Sequence, residues 1–223
     1  MLIFKLSVYT PLSLTFLFVF SCSAMSANVT LDNKHLANAI SVKSWKAIRD
    51  ANVVKQNLDY SCGAASLATL LNEQYSMAIT EEDVLRVMYQ GDTKASFEDM
   101  AFALSELGFR GIGYAASYEQ LTKLKIPVIV YTKHRKNEHF SVLRGIDNDT
   151  VWISDPSLGQ ITYSKHQFLK MWETRGDATL KGKILAVIPK SDKTYQLSDF
   201  FTNQPQRQTF KAVQHAINRN HIQ

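Results

Sequence analysis

From residue 62 onward, "CGAASLATLLNEQY" places Ala65, Leu67, Ala68, Leu70 and Leu71 at helical spacing, which predicts a helix from Cys62 to about Tyr75. Ser61 in front of it is a natural N-cap. Two further helix starts follow. "TEED" from Thr80 and "SFED" from Ser96 each set a hydroxyl three residues ahead of an acid, before the runs "VLRVM" and "MAFALSEL", a variant of the capping box. Gly108 ends the second of these helices.

After Gly108 the period changes. "FRGIGYAA" reads as a strand, "SYEQLTKL" repeats the cap signal with Ser117 and Gln120, and Pro127 precedes the β-rich "VIVYT". "HFSVLRGI" and "TVWISDP", joined by the turn residues "DND", read as an antiparallel hairpin, because β-branched and aromatic residues flank polar turn formers. "SKHQFLKMWETR" predicts one more helix and "KGKILAVIPK" a closing strand. Helices first and strands afterwards argue for an α+β fold: a helical N-terminal half packed on an antiparallel sheet, with the nucleophile candidate at a helix N-terminus.

The two ends of the chain read differently. Residues 1–27 hold Lys5, then an apolar stretch from Leu6 to Phe20, then small residues, with no acid. That is the layout of a signal peptide. The stretch also contains Pro11 and falls short of the roughly 20 residues a membrane span needs. Cleavage is expected after Ala24, Ser26 or Ala27, which makes the mature chain periplasmic or secreted, with membrane contact only through the signal segment. Lipid anchoring at Cys22 is the minor alternative, because Phe20 is bulky for a lipoprotein box. Residues 28–47 form a polar lead-in, packing a strand or short helix through Val42 and Trp45. Residues 48–190 make the main domain. In the tail, residues 191–223, Phe210, Val213 and Ile217 mark an amphipathic helix.

Composition narrows the chemistry. The chain has 223 residues, 45% of them hydrophobic, enough for one domain with a real core. Its formal charge of +5 is interspersed with acids, so ordinary solubility is expected and nucleic acid is not a partner. No CxxC, HExxH or phosphate-loop pattern occurs among the nine glycines. Neither a metal, an ATP site nor any other cofactor is expected.

Of two cysteines, Cys22 lies in the segment to be removed. A lone thiol in an oxidising compartment is either a buried, inert side chain or a chemical tool. Its position at a helix N-terminus, where unpaired N–H groups favour thiolate, points to the second. Thiolate chemistry needs an imidazole to move the proton and a third group to orient that imidazole. Among six histidines, His35, His215 and His221 are peripheral, His166 is at a polar helical position and His134 is in a charged loop. His139 opens an apolar strand. If Ile146 pairs with Thr150, Asp155 falls opposite Ser141 and diagonal to His139, within reach on one face; a slip of one residue would turn it away.

"VVKQNLDYSCGAASLATLL", "HFSVLRGI" and "SDPSLG", in this order and at these separations, resemble the bacteriocin-processing, double-glycine leader cysteine peptidases, a family with a papain-like fold. The resemblance covers Val53 to Pro189. It implies Cys62 as nucleophile, His139 as general base and acid, Asp155 as orienting group and Gln56 as oxyanion-hole donor. With "KSWKAIRD" ahead of the motif and "FLKMWETR" after it, the layout is similar to the free-standing periplasmic peptidases of this family that accompany functional-amyloid secretion. It implies cleavage of a secreted polypeptide after small, Gly-Gly-like residues, with an amyloid subunit or its secretion machinery as partner. Two alternatives stay open: a transglutaminase-type acyl transferase, and a catalytically idle papain-like peptide-binding module.

Overall fold

The computed structural model describes residues 43–88, 95–134, 137–191 and 198–207. The expected signal peptide, Val42 and the tail helix lie outside them. Among the described residues no helix is long and apolar enough to cross a membrane.

The helical half comprises α1 (Trp45–Arg49), α2 (Cys62–Tyr75), α3 (Glu81–Met88) and α4 (Phe97–Glu106). After it come β1 (Phe109–Ala116), the short α5 (Tyr118–Leu121), β2 (Val128–His134), β3 (Asn137–Ile146), β4 (Thr150–Asp155), β5 (Gly159–Ser164), α6 (Lys165–Trp172) and β6 (Gly182–Pro189). The boxes at Thr80/Asp83, Ser96/Asp99, Ser117/Gln120 and Ser164/Gln167 all close, each hydroxyl accepting from a backbone N–H three residues on. Local capping therefore sets where these helices begin.

The strands make one antiparallel sheet in the order β1-β6-β2-β3-β4-β5. Its period of two divides the core. Ile129, Val142, Leu185 and Val187 pack with α2, α3 and α4, while Val128, Val130, Leu143, Ile184 and Ala186 pack with α5 and α6. Leu67, Leu70 and Leu71 of α2 are wholly buried, so the helix that carries Cys62 is held by the core along its length. Two polar ties fix it further: Ser66 Oγ donates to the Phe140 carbonyl at 3.1 Å and Tyr75 Oη to the Val187 carbonyl at 2.7 Å.

Three expectations are corrected. Trp45 is not buried: it is 71% exposed on α1, a helix with no buried residue. The edge strand β5 was not foreseen, although "QITYS" carries the alternation of a strand. The β3–β4 register also differs at the turn. Ile146 pairs with Val151, not Thr150, and Gly145 with Trp152; beyond Arg144 the pairing shifts, so that Leu143 meets Ile153 and Val142 meets Ser154. The bulge at Arg144 absorbs one residue and restores the register that places Asp155 opposite Ser141.

The bulge is a built feature. The segment 198–207 docks on it, with Thr202 bridging to Gly145 and Phe200 buried. A Cβ on Gly145 would lie 3.0 Å from Thr202 Cγ2. The Arg144 guanidinium is sandwiched between the Trp152 and Phe200 rings, at 4.0 and 4.4 Å from their centres, a cation–π arrangement that locks the extra residue outward.

Candidate active site

Cys62 is the first residue of α2 and is buried. Ser61 stands at the N-cap position, but it does not cap the helix. Its hydroxyl turns back, donating to the Leu58 carbonyl at 2.8 Å and accepting from the Leu58 N–H at 3.2 Å. The physical gain is at the thiol. Without a side-chain oxygen on them, the first N–H groups of the helix stay available to a negative atom, and the Gly63 N–H is among the groups that stabilise the Cys62 thiolate.

His139 lies near the start of β3, two residues before Ser141, so both side chains leave the strand in the same sense. Asp155 ends β4. His139 Nε2 is 3.0 Å from Asp155 Oδ2, which leaves Nδ1 as the ring nitrogen for Cys62. Asp155 is saturated: Oδ2 also accepts from Ser141 Oγ at 3.1 Å, and Oδ1 accepts from the N–H groups of Ser157 and Leu158 at 2.8 and 2.9 Å. That cradle stems from the turn "DPSLG". Gly159 allows it, with φ +85 and with Asp50 Oδ1 only 2.6 Å from where a Cβ would stand.

The charges follow from these contacts. Burial alone would raise the Cys62 thiol, yet the hydrogen bond and charge of His139, with the Phe140 and Gly63 backbone groups, bring it below the ordinary thiol range. Burial likewise opposes charge on His139, but Asp155 and Cys62 raise it to about 9. Asp155 is also buried, and its hydrogen bond with His139 and the two turn N–H groups hold it below the usual carboxylate value. These shifts favour a thiolate beside an imidazolium backed by a carboxylate.

Gln56 sits in an extended segment tied on both sides. Val54 N–H donates to Thr69 Oγ1 of α2 at 2.9 Å, and Gln56 N–H to the Pro156 carbonyl at 3.1 Å. The side-chain Nε2 donates to the Leu58 carbonyl at 2.9 Å, and Oε1 accepts from Ser157 Oγ at 2.7 Å. The structure therefore joins Cys62, His139, Asp155 and Gln56 through the helix mouth, the hairpin and the turn after β4. Of the other histidines, His134 and His166 are exposed, and His35, His215 and His221 lie outside the described residues. Sequence reasoning placed Ser141 opposite Asp155 without assigning it a part, and it missed Ser157. No local signal marks it, because its hydroxyl bonds Gln56, 101 positions away.

A thiol at a helix mouth with a strand-borne imidazole and carboxylate defines a papain-like arrangement, and comparison with known proteins agrees. Residues 50–176 match the model of the peptidase C39 family, and the chain belongs to that family. It is 37% identical over 138 residues to the probable functional amyloid protease FapD of Pseudomonas fluorescens, and 36% over 138 residues to that of Pseudomonas aeruginosa. The match covers 59% of this chain and 61% of each relative. The fold is shared with the peptidase domain of Streptococcus ComA, a bifunctional ABC transporter in a quorum-sensing pathway, at 22% identity and a TM-score of 0.53 over 61% of this chain and 97% of that one. A double-glycine motif protease from an AMS/PCAT transporter, solved with its leader peptide, superposes with a TM-score of 0.52 at 25% identity, over 61% of this chain and 90% of that one.

Proposed function

We propose that this protein is an exported cysteine endopeptidase that cuts a secreted or periplasmic polypeptide after small residues. The observation that carries the reading is the Cys62–His139–Asp155 arrangement: a thiol at the mouth of α2 that hydrogen-bonds His139, whose Nε2 is 3.0 Å from Asp155 Oδ2. The Cys62 thiolate attacks the scissile carbonyl. The oxyanion that forms is assigned to the Cys62 backbone N–H and to Gln56 Nε2, whose amide is held by Leu58 and Ser157 before the charge develops. His139 gives its Nδ1 proton to the leaving amine, then takes one from the water that hydrolyses the thioester. Asp155 holds the ring through Nε2 and supports its charge.

The similarity to proteases named for functional amyloid supports a substrate in such a system, either the amyloid subunit or a component of its export machinery. The test is mass spectrometry of secreted proteins from cells carrying wild type or Cys62→Ala. A terminus that follows a small residue and disappears in the variant names the substrate. Identical termini in both strains would overturn the reading.

A further inference from the structure

We propose that Ser157 is a positioning residue for the Gln56 amide, and so couples the oxyanion donor to the carboxylate that orients His139. The inference rests on the peptidase reading above. A glutamine amide has two ends of nearly equal shape and opposite polarity. An oxyanion site needs the NH2 end; the carbonyl end would repel the developing charge.

One contact decides which end is presented, and a second holds it there. The Leu58 carbonyl can only accept, so the group 2.9 Å from it is Nε2. That puts Oε1 against Ser157 Oγ, 2.7 Å away, which donates. One hydrogen of Nε2 is spent on Leu58 and the second remains for the substrate oxygen. Losing the Ser157 hydroxyl removes one of the two anchors and leaves the Leu58 carbonyl alone to hold the amide against rotation about its last torsion, a broad and soft one.

Ser157 is itself anchored. Its N–H donates to Asp155 Oδ1 at 2.8 Å, and its carbonyl accepts from Lys55 Nζ at 2.6 Å. The preceding Pro156 carbonyl accepts from the Gln56 N–H at 3.1 Å. One turn thus sets both halves of the reaction: its backbone holds the carboxylate and its single side-chain hydroxyl holds the oxyanion donor. The division is testable, because removing the hydroxyl leaves the backbone bond to Asp155 intact.

The experiment compares wild type, Ser157→Ala, Ser157→Thr, Gln56→Ala and the Ser157→Ala/Gln56→Ala double variant. Turnover is read on a fluorogenic Gly-Gly peptide and on p-nitrophenyl acetate, whose acyl transfer needs the same oxyanion support. The hydroxyl pair is exposed, and water competes for it, so Ser157→Ala should lower kcat by roughly 3- to 10-fold with KM unchanged. Ser157→Thr should restore most of the loss, and Ser157→Ala should cost nothing more once Gln56 is alanine. The pH profile of iodoacetamide labelling should match wild type in Ser157→Ala. Full activity in Ser157→Ala, or a loss that persists undiminished in the Gln56→Ala background, overturns the inference while leaving Gln56 its role. Full activity in Gln56→Ala removes the oxyanion assignment and the inference together.

Discussion

Ser141 donates its hydroxyl to Asp155 Oδ2 at 3.1 Å, the same oxygen that His139 Nε2 approaches at 3.0 Å. Both side chains are on one face of β3, and the shared oxygen is a consequence of the restored register. In Ser141→Ala that oxygen loses one donor, concentrates its charge on the imidazolium and holds it more tightly. The alkaline limb of the kcat/KM profile should therefore move to higher pH, while kcat falls by about 10-fold or less through looser orientation of the carboxylate. A profile that moves to lower pH would show that Ser141 does not act on this pair.

Thiol reactivity gives the second expectation. Rising pH first forms the Cys62 thiolate, below the ordinary thiol range, and later removes the His139 proton near 9. The kcat/KM profile should be a bell between these two limbs, which belong to the coupled pair and not to either residue alone. Iodoacetamide labelling should follow the acid limb. In His139→Ala its midpoint should climb toward that of a free thiol; equal midpoints in the two proteins would remove the ion pair.

Proton counting gives the third. Between 6.5 and about 9, once Cys62 has ionised, the folded pair carries one proton, on His139. The unfolded pair also carries one, on the thiol, so this pair adds almost no slope to stability against pH. Cys62→Ala breaks the balance. His139 then loses the Cys62 support and keeps that of Asp155 against its burial. Where Asp155 holds the folded value above 6.5, the stability it contributes is complete below 6.5 and is lost as pH rises through the folded value. Urea midpoints measured across this range should be flatter in wild type than in Cys62→Ala. Parallel curves would contradict the assigned charge states.

Gly159 supplies a structural control. Its φ of +85 and the Arg49 carbonyl 2.7 Å from a built Cβ leave no room for alanine. Gly159→Ala should cost about 1–3 kcal/mol and, by displacing the turn that cradles Asp155, should lower activity further than Ser157→Ala. An unchanged urea midpoint would mean the turn yields freely.

Specificity is the fifth expectation. Narrow subsites ahead of the cut should accept Gly-Gly and Gly-Ala and reject Leu or Phe at the residue before the bond. Rejection by overlap is steeper than the roughly 1–3 kcal/mol with which a hydrophobic slot separates single methylenes. A peptide-library profile favouring bulky apolar residues there would sink this, with the Cys62–His139–Asp155 chemistry untouched.

What the sequence determined by itself was local. The helical spacing after Cys62 and the boxes at Thr80, Ser96 and Ser117 set the helices correctly, because capping and periodicity act within a few residues. The β3–β4 hairpin was equally legible, from β-branched and aromatic residues flanking polar turn formers. Tertiary structure decided the rest. The bulge at Arg144 depends on Trp152 and on Phe200, which is 56 positions further along the chain, and no local pattern encodes a contact so distant. Ser61 looks like a cap from its neighbours, yet its hydroxyl turns to Leu58. Trp45 looks like a core residue, yet it stays in solvent. The bond between Gln56 and Ser157 spans 101 positions; it exists because the turn after β4 and the segment before α2 meet side by side, and only the folded chain brings them there.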